Sequence, residues 1–355
     1  MTAVHVVVPD GVDDPARPSG GNTYDRRLCR GLTSLGWSVH EHAVPGCWPR
    51  PDAASFAALA GVVQRIPDDA VVLLDGLVAS SAPEVLVPQA RRLRLVVLVH
   101  MPLGHRPADG EADNARMRER AVLSLAAAVV TTSAWTRRRL LELYPLRADR
   151  VHVAEPAVDA ADLATGTATG GALLCVAAVT FDKGHDVLVD ALAAATDLSW
   201  HCVCVGSLDR DPAFVAGLRR RSLDGGLGDR VHFLGPRTGA DLDRSYAAAD
   251  LMVLASRAET YGMVVTEALA RGLPVLATEV GGLPEALGHS PDGIRPGLLV
   301  RPEDPAVLAA ALRAWLGDAE LRGRLGQAAR ERRKSLSGWS TTTSVLAGVL
   351  AAASR

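Results

Sequence analysis

The sequence predicts an α/β protein of two doubly wound domains, and three observations carry that prediction. A strand, a glycine-bearing loop and a helix open the chain at Val4–Val8, and the same order restarts in mid-chain at Ala172–Val179. The remaining strand candidates are continuous Val/Leu-rich runs without polar alternation, the pattern of parallel strands covered on both faces. Between the two openings, Ala160–Gly171 is small, rich in Gly and Thr, and uncharged apart from Asp162, the composition of a hinge. The expected domains are therefore 1–165 and 166–338.

Composition narrows the class. The 355 residues are 48% hydrophobic and 22% charged, the profile of a globular protein with room for two cores. No apolar run reaches the ~20 residues of a spanning helix, and the amino terminus lacks a basic region followed by an apolar segment, so a cytoplasmic location is expected. A net charge of -2 offers no field for nucleic acid. The basic clusters Arg137–Arg139, Arg219–Arg221 and Arg330–Lys334 read as solvated helix faces; the last also suits weak peripheral contact with an anionic membrane surface. Cys29, Cys47, Cys175, Cys202 and Cys204 form no CxxC pair and no evident ligand cluster with histidines, so they read as reduced core thiols.

Taken in order, Val4–Val8 leads through a Pro/Asp/Gly loop to Ser19-Gly-Gly-Asn-Thr23. A helix follows over Tyr24–Leu35, with Leu28, Leu32 and Leu35 on one side. Gly20 and Gly21 can bring backbone amides against a diphosphate, yet no G-x-G-x-x-G is present, which removes the main support for a nicotinamide cofactor. A helix near Ser55–Arg65 precedes the strands Ala70–Asp75 and Leu93–His100, and both strands end in a polar residue. A histidine at the carboxyl end of a parallel strand faces a ligand crevice, which makes His100 a candidate. Strand Val129–Ser133, helix Ala134–Leu143 and the run Val151–Pro156 lead into the hinge.

In the second half, Thr180-Phe-Asp-Lys-Gly184 joins strand to helix. Lys183 is one of only two lysines among 38 basic residues; where arginine is the default cation, a lysine at such a joint suggests a point charge aimed at phosphate. Strands follow at Trp200–Gly206, Val231–Gly235, Leu251–Ala255 and Pro274–Thr278; the run Leu298–Asp304 and helices at Pro305–Leu316 and Ala319–Ser335 close the domain, and a last helix follows Trp339. The richest stretch is Ser256–Val275. Its helix should begin near Tyr261 or Gly262 and end at Gly272, with Pro274 preventing continuation. The amides of Gly262, Met263 and Val264 would then present the helix dipole to a phosphate, with Glu259 and Glu267 flanking it at different distances. Carboxylates beside a phosphate site point to hydroxyls, hence to a phosphorylated sugar and a ribose.

Glu259 and Glu267, with seven residues between them and followed by Ala-Leu-Ala-Arg-Gly-Leu-Pro-Val, resemble the E-x7-E signature of retaining family 4 glycosyltransferases. The resemblance spans nearly the whole chain. It implies the GT-B fold, two Rossmann-like domains facing across a cleft, with helix 339–355 returning to the first domain. It further implies a nucleoside-diphosphate sugar as donor, with no cofactor and no metal ion, retention of configuration, and an unidentified acceptor on the first domain near 48–88 and 102–117. By position, His100, Lys183 and Glu259 would carry catalysis. Gly20, Gly21, Lys183, Arg237, Glu259, Tyr261, Gly262, Met263, Val264 and Glu267 would hold the donor, Arg237 lying in the turn Gly235–Thr238 that meets the nucleoside base. One departure stands out: the family's G-R positions read Ala177-Ala178, a version similar to the V-A-T-V-T-x-x-K-G-H-D turn of an actinobacterial-type subgroup. A nucleotide-sugar epimerase of the same fold and a noncatalytic nucleotide-sugar-binding protein are the other two readings.

Overall fold

Buried on both faces, the apolar runs form two sheets of six strands each, and every recorded strand pairing is parallel. The computed structural model describes residues 2–105 and 110–355.

The first unit comprises Met1–Asp14, Ser19–Pro156 and Trp339–Arg355. Its elements are β1 (Ala3–Pro9), α1 (Gly20–Ser34), β2 (Ser38–Val44), α2 (Ala53–Gln64), β3 (Val71–Asp75), α3 (Gly76–Ser80), α4 (Pro83–Gln89), β4 (Arg94–Val99), α5 (Gly110–Leu123), β5 (Ala128–Thr131), α6 (Ala134–Leu143) and β6 (Val151–Val153). The sheet order is β2-β1-β3-β4-β5-β6. Strand β2 has no counterpart in the sequence reading: Ser-Val-His-Glu-His-Ala-Val carries no apolar run, because an edge strand needs only a half-covered face. Leu28 and Leu32 are buried as the helical spacing requires, but Leu35 is 51% exposed, since α1 ends one residue before it.

The second unit comprises Pro15–Pro18 and Ala157–Gly338. It contains β7 (Ala172–Val176), α7 (His185–Ala193), β8 (His201–Val205), α8 (Pro212–Asp224), β9 (Val231–Phe233), α9 (Gly239–Ala247), β10 (Leu251–Leu254), α10 (Met263–Ala270), β11 (Val275–Thr278), α11 (Leu283–Leu287), β12 (Gly297–Val300), α12 (Pro305–Gly317) and α13 (Ala319–Arg333). Its sheet order is β12-β11-β10-β7-β8-β9. The last helix, α14 (Trp339–Ala353), lies with the first unit, where Thr342 Oγ1 donates to Glu155 O at 2.7 Å and the Trp339 ring meets Tyr24 edge-on at 5.7 Å.

Residues 160–171, expected as a hinge, run as a strap along the second unit. Ala164 N donates to Arg271 O, and Thr165 N and Gly166 N both donate to Ala247 O. The Asp250 carboxylate gathers the amides of Thr167 and Ala172. These bonds tie residues 164–172 to the second unit. The basic clusters are also partly tied down: Arg137 donates to Val151 O, Arg221 pairs with Asp190, Arg333 donates to Ala270 O, and Lys334 pairs with Glu331.

Candidate active site

Strands β7 and β10 are neighbours in the second sheet, so the turns leaving their carboxyl ends meet. Gly184, the residue before α7, has φ +63°, and a Cβ there would stand 1.9 Å from Ala255 O; only glycine lets the two turns approach. Arg257 clamps them, its amide donating to Asp182 O and its guanidinium forking onto both oxygens of Asp186 at 2.8 Å. Lys183 Nζ then reaches Glu259 Oε1 at 2.6 Å, and Ser256 Oγ donates to the same oxygen at 3.1 Å.

Behind Glu259, the turn Gly281-Gly282 supports its backbone. Gly282 N donates to Glu259 O at 3.0 Å, and a Cβ on Gly281 would fall 1.6 Å from that oxygen. Gly262 has φ +96°, and its Cα faces the Leu283 side chain, so the residue is required for backbone conformation as well as for access. No side chain caps α10, which leaves its first-turn amides at Met263 and Val264 open. Glu267, half-buried, accepts from Tyr246 Oη at 2.8 Å, with the Arg271 guanidinium stacked on the Tyr246 ring at 4.4 Å. Burial raises the Glu267 pKa, and the Tyr246 hydrogen bond works against the rise.

In the first unit, His100 follows β4 at its carboxyl end. Its Nε2 lies 2.8 Å from Asp25 Oδ1 and 3.7 Å from Asp75 Oδ2. Burial depresses the His100 pKa, but the two carboxylates outweigh it and the pKa is raised. Burial, reinforced by the Asp25 charge, raises that of Asp75. Ser19 caps α1 by accepting from Asn22 N, which puts Gly20 and Gly21 in the first helical turn. A Cβ on Gly21 would lie 3.3 Å from the His100 ring, so the glycine also makes room for the imidazole.

The structure thus groups Lys183, Glu259 and the Gly262–Val264 backbone at one sheet edge, and Gly21 with His100 at another. Arg237 donates to Ser245 Oγ at 3.0 Å. Tyr261 is only 7% exposed and its ring belongs to the hydrophobic core. Asp25, Asp75, Ser256 and Tyr246 were missed by sequence reasoning. Asp25 had a signal, since it shares the buried stripe of α1 with Leu28 and Leu32, and a carboxylate there needs a partner. Of the expected acceptor loop 102–117, residues 106–109 lie outside the described residues.

Among the described residues, two groups could hold a metal ion, each with its ligand atoms within 4.8 Å of one another: Asp25, Asp75 and His100, and Cys175, His185 and Cys204. The second corrects the expectation that no cysteine meets a histidine, because pairing of β7 with β8 sets Cys175 beside Cys204 and His185 opens the next helix. Cys175 Sγ is 3.6 Å from His185 Nε2. Its hydrogen bond with Cys204 and its burial raise the Cys175 pKa, which favours a neutral, hydrogen-bonded thiol. Cys47 departs from the core reading altogether and is exposed.

Residues 4–162 match the family described as Glycosyltransferase Family 4, and residues 168–332 match Glycosyl transferases group 1. The chain belongs to these GT-B glycosyltransferases. Among relatives of this glycosyltransferase, the D-inositol 3-phosphate glycosyltransferase of Jonesia denitrificans is 33% identical over 68% of this chain and 61% of its own length. The chain therefore spans about three fifths of that relative. The protein of the same name from Pseudarthrobacter chlorophenolicus is 29% identical over 92% of this chain and 88% of its own. Solved structures of the same fold include sucrose-phosphate synthase from Thermosynechococcus elongatus, with TM-score 0.79 at 23% identity over 98% of both chains. Anabaena HepE, solved with UDP and glucose, has TM-score 0.77 at 20% identity over 99% of this chain and 100% of its own. Among the described residues, no helix is long and apolar enough to cross a membrane.

Proposed function

We propose that this glycosyltransferase moves a sugar from a nucleoside-diphosphate sugar to an acceptor hydroxyl, with retention of anomeric configuration and without a metal ion. The observation that carries the reading is the Lys183–Glu259 pair, 2.6 Å apart, set beside the uncapped start of α10. Together these supply a cation, open amides and a hydroxyl-binding carboxylate at one sheet edge. Lys183 and the Met263 and Val264 amides receive the diphosphate, Glu259 the sugar hydroxyls and Glu267 the ribose. In the first unit, His100 keeps the donor-facing catalytic role that the family resemblance implies, and Gly20 and Gly21 their amide role. Arg237 is assigned to the nucleoside side.

In the transfer, the bond from the anomeric carbon to the diphosphate oxygen breaks and a bond to the acceptor oxygen forms on the same face. The acceptor proton passes to the departing phosphate. Stabilising that leaving group is the protein's main electrostatic contribution. The UDP and UDP-glucose bound in the HepE structures support a uridine nucleotide as the first donor to try, and the names of the relatives support inositol 3-phosphate as the first acceptor.

A thermal-shift screen of nucleoside diphosphates and nucleotide sugars tests the donor site, since a ligand at a hundred times its Kd stabilises by about 2.7 kcal/mol. Positive donors are then incubated with inositol 3-phosphate in the presence of EDTA, and nucleotide release and the anomeric proton of the product are followed by NMR. No stabilisation by any nucleotide sugar overturns the reading. A new sugar isomer formed from donor alone would point to an epimerase.

A further inference from the structure

Tyr246, near the end of α9, is fully buried, yet its hydroxyl reaches the candidate donor site. Its Oη donates to Glu267 Oε2 at 2.8 Å and stands 3.5 Å from Val264 O, so one phenol touches both the first turn of α10 and the carboxylate in the turn that follows. Burial, and after it the Glu267 charge, push the Tyr246 pKa well above its usual range; the hydroxyl therefore meets the carboxylate as a neutral donor.

The ring is held in place. Arg271 lies over its face at 4.4 Å, donates from Nη1 to Glu267 O at 2.8 Å, and pairs through Nη2 with Asp243. Asp243, Arg271, Tyr246 and Glu267 thus form one chain of contacts linking α9 to α10, all within the second unit. The carboxylate itself is held by one oxygen. Among the described residues, Glu267 Oε1 has no hydrogen bond or ion pair, and the half-buried side chain leaves that oxygen open to a ligand. A glutamate that turns freely loses rotamer freedom when it binds, whereas one already pinned has less to lose.

We propose that Tyr246 is a positioning residue for the donor: it fixes Glu267 through Oε2 so that Oε1 accepts from the ribose hydroxyls, and it thereby makes the site prefer a ribonucleotide to one lacking those hydroxyls. The proposal deepens the nucleotide-sugar reading above and rests on it. Calorimetry on the full chain tests it with the tightest binder of UDP, GDP and ADP, with the 2′,3′-dideoxy counterpart of that nucleotide, and with inorganic pyrophosphate. The parent should bind the ribonucleotide about tenfold or more tighter than the dideoxy compound. Tyr246→Phe keeps the ring under Arg271 and removes only the hydroxyl. It should weaken the ribonucleotide by about fivefold or more, the scale of one hydrogen bond to a charged group, and leave the other two probes within about twofold. In a Glu267→Ala background the same change should have no further effect, because the residue through which Tyr246 acts is gone. Arg271→Met, which loosens the ring and keeps its hydroxyl, should show a smaller loss of the same selectivity, and melting curves establish that each variant is folded. A parent that binds the ribonucleotide and its dideoxy counterpart alike, a Tyr246→Phe protein that loses affinity for all three probes equally or for none, or a loss that persists without Glu267 overturns the Tyr246 assignment while the donor reading stands. If the parent binds none of the three probes, the donor reading falls with it.

Discussion

Lys183 and Glu259, 76 residues apart in sequence, form a 2.6 Å ion pair between the turns after β7 and β10. Their side chains are 27% and 12% exposed, so each is the other's main partner in the unliganded protein. A donor that engages both must divide this pair between phosphate and sugar.

Lys183→Ala should therefore weaken nucleoside diphosphate binding by about 2 kcal/mol, the loss of one charge-assisted contact. Calorimetry checks this, and an unchanged affinity would remove Lys183 from the site.

Removal of each glutamate should separate their roles. Glu259→Gln releases Lys183, so diphosphate affinity should hold within about threefold or rise, while transfer falls by roughly 10²-fold because the sugar is no longer positioned. Glu267→Ala should weaken the diphosphate and the intact donor alike. Equal losses of diphosphate affinity in both variants would show that the division is wrong.

His100 should titrate above its ordinary value of 6.5 because Asp25 and Asp75 overcome its burial. Its folded pKa is raised, so the stability it contributes is complete below pH 6.5 and is lost as pH rises through the folded value. Asp25→Asn removes the nearer carboxylate, and the His100 imidazole should then titrate lower than in the parent. An NMR titration of the ring protons decides it; an unshifted midpoint would exclude Asp25 as the controlling charge.

Gly184→Ala should destabilise the protein by at least about 2 kcal/mol, combining a left-handed φ with a Cβ driven into Ala255 O. Urea unfolding measures the loss. The same variant should lose diphosphate affinity, since Lys183 can no longer sit beside Glu259.

Glu119 should matter to stability with no contact to donor. It is fully buried and accepts from Ser80 Oγ, the Leu103 and Gly104 amides and Tyr144 Oη. Glu119→Ala leaves four buried donors without their acceptor and should cost about 3 kcal/mol or more, read as a lowered urea midpoint.

What the sequence determined by itself was whatever depends on local pattern. Continuous Val/Leu runs specified parallel strands because both faces must be covered, and Gly272 with Pro274 ended α10 because neither continues a helix. Lys183 and Glu259 stood out as charges at strand-to-helix joints, and Glu267 by its spacing from Glu259 along the helix that follows. Tertiary structure decided what depends on which strands lie side by side. Placing β10 next to β7 joined Lys183 to Glu259, and β8 beside β7 brought Cys204 to Cys175. Bringing α1 over the end of β4 surrounded His100 with Asp25 and Asp75, a charge balance that no spacing along the chain encodes. The edge strand β2 stayed illegible for the complementary reason: half-exposed, it needs no apolar run, and only its pairing with β1 makes it a strand.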